Sequence, residues 1–150
     1  MQWNQKESGL LKDLKGQEKL CVDKYLHHAE AACDPQLKKL FSQLAQQEAQ
    51  HLQTITQMES GTIPQMQSGS NQGQPTFTAA YSGESREKQQ DCFLCSDTLS
   101  GEKHVSGLYD TCVFEFRDAQ ARNVLNHIQK EEQEHGKLLY DYMTVNGMYS

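Results

Sequence analysis

Two copies of a short acid–histidine motif are the residues of this chain best suited to chemistry. Glu48 precedes His51 by three positions, and Glu132 precedes His135 by the same spacing, 84 residues further along. Side chains three positions apart on a helix lie on one face about one turn apart, so the carboxylate and imidazole of each pair can bind the same metal ion. Mixed carboxylate and imidazole ligation suits iron or manganese.

Each motif follows a further glutamate at a fixed distance. Glu18 and Glu102, each followed by a lysine, stand 30 positions before Glu48 and Glu132. Two Glu-x-x-His helices with one Glu from each of two other helices form the ligand set of di-iron and di-manganese four-helix bundles. The spacing therefore predicts six metal ligands, namely Glu18, Glu48, His51, Glu102, Glu132 and His135.

The apolar pattern of each segment supports this ligand set. Heptad seams run through residues 11–32, 37–58, 95–116 and 121–142, and each proposed ligand occupies a seam position. Four buried carboxylates without partners would cost many kcal/mol. Two divalent cations would neutralise them, and two neutral imidazoles would complete the coordination. The alternatives are solvated positions on misphased helices, or simple carboxyl–imidazole hydrogen-bonded pairs.

The same residues belong to an internal repeat. Seven of 34 positions are identical when residues 18–51 are aligned with residues 102–135, and they include all six proposed ligands. This pattern predicts a duplicated helical hairpin whose halves face each other across a pseudo-twofold axis. The repeat also aligns Tyr25 with Tyr109, for which core packing with a locally satisfied hydroxyl is favoured over a role beside the metals.

Local signals predict the helices that position these residues. Asp34 and Pro35 form a helix start, and Asp118 repeats the cap. The predicted helices cover about 10–33, 35–58, 87–117 and 119–145. In an antiparallel hairpin, residues at equal distances before and after the turn lie at the same height. The ligands of each hairpin meet this condition, as a shared site requires.

Four residues near the ligands lie outside the predicted ligand set. Glu131 and Glu134 fall off the seam and are expected on the wet face, so their removal should leave metal binding nearly unchanged. Gly16 and Gly101 stand within two residues of Glu18 and Glu102. Each costs about 1 kcal/mol relative to Ala inside a helix, which indicates close packing or access to the site, with packing favoured.

A polar segment separates the two predicted hairpins. Residues 60–85 are rich in Ser, Gly, Gln and Thr, contain two prolines, and lack helical periodicity. Their length suits a crossover that returns the chain along a bundle. We therefore predict an all-α fold in a single domain, residues 1–150, with one hairpin over about 10–59 and another over about 87–145. A mobile tether between two separate domains is the alternative.

Composition excludes some classes of function. The formal net charge of −6 argues against non-specific binding to nucleic acid or an anionic membrane. The chain has no apolar stretch long enough to span a membrane, and its first residues lack the apolar core of a signal peptide. We therefore expect synthesis as a soluble protein in the cytoplasm.

The five cysteines are expected to be reduced. Cys92 and Cys95 form a C-x-x-C pair, but a structural zinc site or a rubredoxin-type iron site would need a second pair. Packing or surface roles are therefore favoured over redox function. Cys21 lies one helical turn from Glu18 on the seam, which places it close to the predicted metals.

These patterns resemble known protein families. The paired Glu and Glu-x-x-His motifs look like those of the ferritin-like superfamily, which includes rubrerythrins, bacterioferritins and manganese catalases. More closely, EKHVSGLYDTCVFEFRDAQARNVLNHIQKEEQEHGKLLYDYMTVNGMY (102–149) and EKLCVDKYLHHAEAACDPQLKKLFSQLAQQEAQHL (18–52) resemble the CotF-like spore coat proteins of spore-forming bacteria. The resemblance implies a ferritin-like four-helix bundle, two antiparallel hairpins joined by a long crossover linker, and a location in the spore coat.

The superfamily also implies roles for the ligands. By that resemblance, Glu48 and Glu132 bridge two ions, whereas Glu18 with His51, and Glu102 with His135, are terminal ligands of one ion each. The expected cofactor is two iron ions, with two manganese ions as the alternative. The expected activity is reaction with peroxide or oxygen, as in a di-iron peroxidase or oxidase or a manganese catalase, with a role in oxidative stress. The competing function is a structural coat component with a vestigial metal site or none, and a homodimer or other coat proteins are the open choices of partner.

Overall fold

The computed structural model describes residues 1–66 and 74–149, which form four long helices. They are α1 (Gln5–Ala31), α2 (Pro35–Glu59), α3 (Arg86–Glu115) and α4 (Ala119–Val145). The described residues contain no strand, and α1 packs with α2 as α3 packs with α4. The predicted all-α bundle of two hairpins is therefore confirmed. None of these four helices is both long enough and apolar enough to cross a membrane.

The helix ends follow their capping residues. Asn4 caps α1, because its side chain accepts from the Glu7 backbone N–H while the Glu7 carboxylate accepts from the Asn4 N–H. The predicted start near residue 10 was wrong because this capping box precedes the apolar seam. Asp34 and Asp118 cap α2 and α4 as predicted. The remaining predicted bounds agree with the structure to within about two residues.

Two repeat-equivalent carboxylates hold the hairpin turns. Asp91, near the start of α3, accepts from the backbone N–H groups of Cys33 and Asp34, over 2.8 and 2.9 Å. Glu7, near the start of α1, accepts from the N–H of Arg117 over 3.3 Å. Because the start of each helix meets the end of the other, α1 and α3 are antiparallel. Since α1 is also antiparallel to α2, α3 runs parallel to α2.

A parallel α2 and α3 require a connection that travels the length of the bundle. Ile63 and Met66 pack against one end of the core and Phe77 packs against the other. Tyr81 then donates its hydroxyl to Asp91 over 2.6 Å, beside the α1–α2 turn. The described parts of the predicted linker thus behave as a crossover, and residues 67–73 of that prediction lie outside the described residues.

Two glycines end helices in the left-handed region. Gly61 has φ +96° after α2, and Gly147 has φ +65° after α4. A Cβ at Gly61 would lie 2.8 Å from the carbonyl oxygen of Met1, so a larger residue would displace the N-terminal segment. That segment also donates the Trp3 indole N–H to the carbonyl of Met58.

The apolar core consists of two clusters, and each takes residues from all four helices. The cluster near the α1–α2 turn includes Tyr25, Leu44, Leu99 and Leu139. The cluster at the opposite end includes Leu14, Ile55, Val105 and Leu125. Because neither hairpin completes a cluster alone, we infer that the two hairpins form one domain. A layer of charged residues lies between the clusters.

Candidate metal centre

The six predicted ligands meet in this layer between the two apolar clusters. Each helix of the bundle contributes at least one of them, and all are between 0 and 3% exposed. They are Glu18 on α1, Glu48 and His51 on α2, Glu102 on α3, and Glu132 and His135 on α4. Residues from both hairpins therefore face one another in a dry interior.

The side-chain atoms form two overlapping groups, each with ligand atoms within 4.8 Å of one another. We call them the first half-centre and the second half-centre, and Glu48 and Glu132 belong to both. The first half-centre adds Glu18 and His51, and the second adds Glu102 and His135. Each half-centre therefore offers three carboxylates and one imidazole nitrogen.

Two tyrosines bond to the unshared glutamates across the bundle. The Tyr25 hydroxyl donates to Glu102 Oε1 over 2.8 Å, and the Tyr109 hydroxyl donates to Glu18 Oε1 over 2.6 Å. Burial and then the charge of the bonded glutamate raise the pKa of each tyrosine well above its usual value, so both stay protonated donors. The expectation of a locally satisfied hydroxyl was wrong, because each partner lies on the other hairpin.

The remaining polar atoms of the layer have no hydrogen-bond partner. Both carboxylate oxygens of Glu48 and Glu132 are unpartnered, whereas Glu18 and Glu102 each keep one free oxygen. His51 Nδ1 lies 2.7 Å from Glu132 Oε1 without hydrogen-bonding geometry. Buried polar atoms nearly always have partners, so eight such atoms in one layer fit bound cations. Two free oxygens suit a bridging carboxylate and one suits a terminal ligand.

The layer carries more negative charge than its own residues balance. Within the described chain, the two histidines are the only cationic groups within 4.0 Å of its four carboxylates. Burial, with the charge of Glu48, raises the pKa of Glu18 to about 9. Burial, with the charge of Glu102, raises the pKa of Glu132 well above its usual value. Without cations, the layer therefore retains protons near neutral pH.

The outer nitrogen of each histidine bonds to the opposite hairpin. His51 Nε2 donates to Glu131 Oε1 over 2.9 Å, and His135 Nε2 donates to Gln47 Oε1. In its neutral form, each ring therefore presents an unprotonated Nδ1 to the centre. The wet-face assignment of Glu131 was wrong, since its side chain is 31% exposed and contacts His51. The repeat in the sequence pairs these two partners, because it aligns Gln47 with Glu131, one residue before each shared glutamate.

A cavity of about 510 Å³ opens between α3 and α4 beside the centre. Glu102 and Glu132 form part of its wall, together with Gly136 and the exposed Lys103 and Lys137. A Cβ at residue 136 would meet Leu99 at an ordinary 3.6 Å, so a small side chain would fit there. The repeat-equivalent residue in α2 is Leu52.

Gly16 and Gly101, the glycines near Glu18 and Glu102, do not line the cavity beside the centre. Gly16 lines a larger cavity of about 710 Å³ between α1 and α3, which includes none of the six ligands. A Cβ at Gly16 would have no neighbour within 4 Å, and one at Gly101 would meet only the Lys24 amine at 3.6 Å. The favoured explanation of close packing was therefore wrong for Gly16.

The five cysteines are all free thiols. Burial and the negative charge of the four glutamates raise the pKa of Cys21, as expected for a thiol beside the centre. Cys95 is buried and Cys92 is half-buried. Within the described ranges, the residue groups suited to a metal ion contain no cysteine.

The family model of the Coat F domain matches residues 90–150, which include nearly all of α3, the whole of α4, and the ligands Glu102, Glu132 and His135. No curated protein and no solved structure matches the chain.

Proposed function

Because residues 90–150 match the family model of the Coat F domain, we propose that this protein is a spore coat component that binds two metal ions between its four helices. The match confirms the predicted resemblance for the second hairpin and supports the spore coat location that it implied. It covers only the second hairpin, so the proposed metal site, half of which lies in the first hairpin, is supported by geometry and charge.

One observation carries the proposal of two ions. The shared Glu48 and Glu132 keep both oxygens free, whereas the unshared glutamates keep one oxygen each and give the other to a tyrosine. This pattern matches two bridging and two terminal carboxylates. Two divalent ions would also balance four carboxylates, with one imidazole Nδ1 for each ion.

The donor set favours iron, with manganese as the alternative. It consists of carboxylate oxygens and imidazole nitrogens without a thiolate, a combination that both metals accept. The likeness of this ligand set to that of the ferritin-like superfamily supports the same pair of metals. The ferritin-like assignment remains part of the proposal.

The surrounding residues suit a reaction with peroxide or oxygen. Two bound ferrous ions would supply the two electrons that, with two protons from solvent, reduce one molecule of hydrogen peroxide to two molecules of water. Tyr25 and Tyr109 hold the terminal carboxylates in place, and the apolar clusters keep bulk water away from two sides. The cavity beside Gly136 gives a small oxidant a path to Glu102 and Glu132.

Metal stoichiometry tests the proposed centre directly. Protein reconstituted with ferrous iron under anaerobic conditions should hold two ions per chain after removal of free iron. Glu134→Ala is the matched control, because Glu134 is exposed and lies beside the centre in sequence. Binding of one ion or none by careful reconstitution would remove the di-metal proposal.

A structural coat component is the competing function, and the surface of α3 favours it. Phe93 and Phe114 are 66% and 76% exposed and are available to pack against other coat proteins. The rate of oxidation separates the two functions. If the centre is catalytic, stoichiometric peroxide should oxidise the ferrous protein within seconds, and His135→Ala should abolish this. Oxidation no faster than that of free ferrous iron would favour the structural function.

A further inference from the structure

The two histidines of the centre differ in the charge of the side chain on their outer nitrogen. His51 Nε2 donates to the Glu131 carboxylate over 2.9 Å, whereas His135 Nε2 donates to the neutral amide of Gln47. Gln47 and Glu131 are equivalent in the repeat. One half-centre therefore has a carboxylate at the position where the other has an amide.

The ligand types and the tyrosine hydrogen bonds of the two half-centres are matched. Each contains the same shared glutamates, one unshared glutamate bonded to a tyrosine, and one imidazole with a free Nδ1. All of the proposed ligands are at most 3% exposed. The charge of the outer histidine partner is therefore the main difference between the hydrogen-bonded surroundings of the two half-centres within the described chain.

A carboxylate partner strengthens an imidazole ligand more than an amide does. Both partners fix the same ring tautomer, but the carboxylate also raises the basicity of Nδ1 and adds negative charge near the ion. Glu131 is 31% exposed, so water screens its charge only in part. His127 Nε2 also lies 3.4 Å from Glu131 Oε1.

From this difference we infer that the two ions bind in order, the first in the half-centre of His51 and the second in the half-centre of His135. The inference rests on the proposed di-metal function. Loss of an outer partner changes metal affinity by about 10- to 100-fold, and since an amide keeps the hydrogen bond, we expect a gap of about tenfold. The weaker half-centre contains Glu102, which lines the cavity, so the ion on the cavity side should leave first.

Anaerobic titration of the full chain with ferrous iron tests the order of binding. Calorimetry should resolve two steps that differ about tenfold in affinity. At one equivalent of iron, proton NMR should show a strongly shifted ring N–H signal from His51, and the signal from His135 should follow during the second equivalent. His51→Asn and His135→Asn assign the two signals. A chelator at limiting concentration should remove the His135 signal first.

Exchange of the outer partners supplies matched variants, because Glu and Gln have nearly the same shape. Glu131→Gln should weaken the first step and bring the two affinities together, and Gln47→Glu should bring them together by strengthening the second step. The double variant Gln47→Glu/Glu131→Gln should reverse the order, so that His135 responds first. A merely structural role of Glu131 would not produce this reversal.

The outcomes separate this inference from the proposed function. Two ions that bind with simultaneous His51 and His135 signals in the native chain would overturn the ordered binding and leave the di-metal function standing. An order that survives the double exchange would also overturn it. Absence of iron binding would overturn both proposals, whereas reversal of the order would support both.

Discussion

The first hairpin (α1 and α2) and the second hairpin (α3 and α4) share their ligands but differ in what surrounds them. Each hairpin contributes two glutamates and one histidine at equivalent positions. In each, a tyrosine hydroxyl donates to the unshared glutamate of the other hairpin. They differ where Leu52 of α2 corresponds to Gly136 of α4, and where Gln47 corresponds to Glu131. The two halves therefore match at the candidate ligands and differ in access and charge around them.

The largest expected effect tests the shared part of this comparison. Glu48→Ala and Glu132→Ala each remove a carboxylate that belongs to both half-centres. Each should weaken the binding of both ions by more than about 100-fold, a larger loss than outer partners cause. Calorimetry with ferrous iron measures both variants, with Glu134→Ala as the control. A variant that lost only one ion would show that its glutamate does not bridge.

Removal of the metal should destabilise the bundle, and more so at higher pH. Bound ions should contribute about 2.7 kcal/mol each at a free concentration about 100 times Kd. In the metal-free protein, the pKa of Glu18 is raised to about 9, by burial and then the charge of Glu48. Burial lowers the pKa of His51 and His135, but the surrounding carboxylates raise them to about 10 and about 9.

The direction in which the stability of the metal-free protein changes with pH follows from these raised pKa values. A group whose pKa is higher in the folded state than in the unfolded state stabilises the fold at pH values below its unfolded-state pKa. This stabilisation is lost as the pH rises through the folded-state pKa. The metal-free protein should therefore lose stability from about pH 4.5 to about pH 10. The lowered pKa of Glu48 acts in the opposite direction only under acid conditions. Thermal unfolding with and without chelator across this range measures the effect, and a chelator effect that shrank as pH rose would contradict it.

The tyrosine pair tests whether the hairpins are symmetric around the centre. Tyr25→Phe frees an oxygen of Glu102, and Tyr109→Phe frees one of Glu18. Each should weaken iron binding by about tenfold, the low end of the range for outer partners. Tyr25→Phe should affect the second half-centre and Tyr109→Phe the first. The exposed Tyr149 supplies the control Tyr149→Phe, and an effect of that variant as large as the others would argue against the assigned contacts.

The smallest expected effect concerns access through the second hairpin. Gly136→Ala should stabilise α4 by up to about 1 kcal/mol, because a Cβ has room there and alanine favours the helix. Gly136→Leu copies the residue of the first hairpin and should slow oxidation by peroxide without changing the iron stoichiometry. Gly107→Ala, in α3, should give a similar gain in stability with no change in the rate. Equal oxidation rates in all variants would mean that oxidants use another path.

Much of the fold and the ligand set followed from the sequence because both depend on local periodicity. Helical spacing of apolar residues marked which face of each segment is buried, and Asp34 and Asp118 marked the turns between helices. The repeat then aligned Glu18 with Glu102, and the structure places both in the same buried layer. The capping box at Asn4 was readable as well, but it lies outside the seam from which the start of α1 was predicted.

Contacts between distant helices were decided only by the tertiary structure. Tyr109 meets Glu18 across 91 positions of sequence, and His51 meets Glu131 across 80. Periodicity states that a side chain points inward, but the rotation and depth of neighbouring helices determine which residue it meets. The sequence alone therefore determined the helices and the six candidate ligands. The hydroxyl donors, the charged partner of His51 and the cavity at Gly136 required the packed bundle, because each is made by residues of more than one helix.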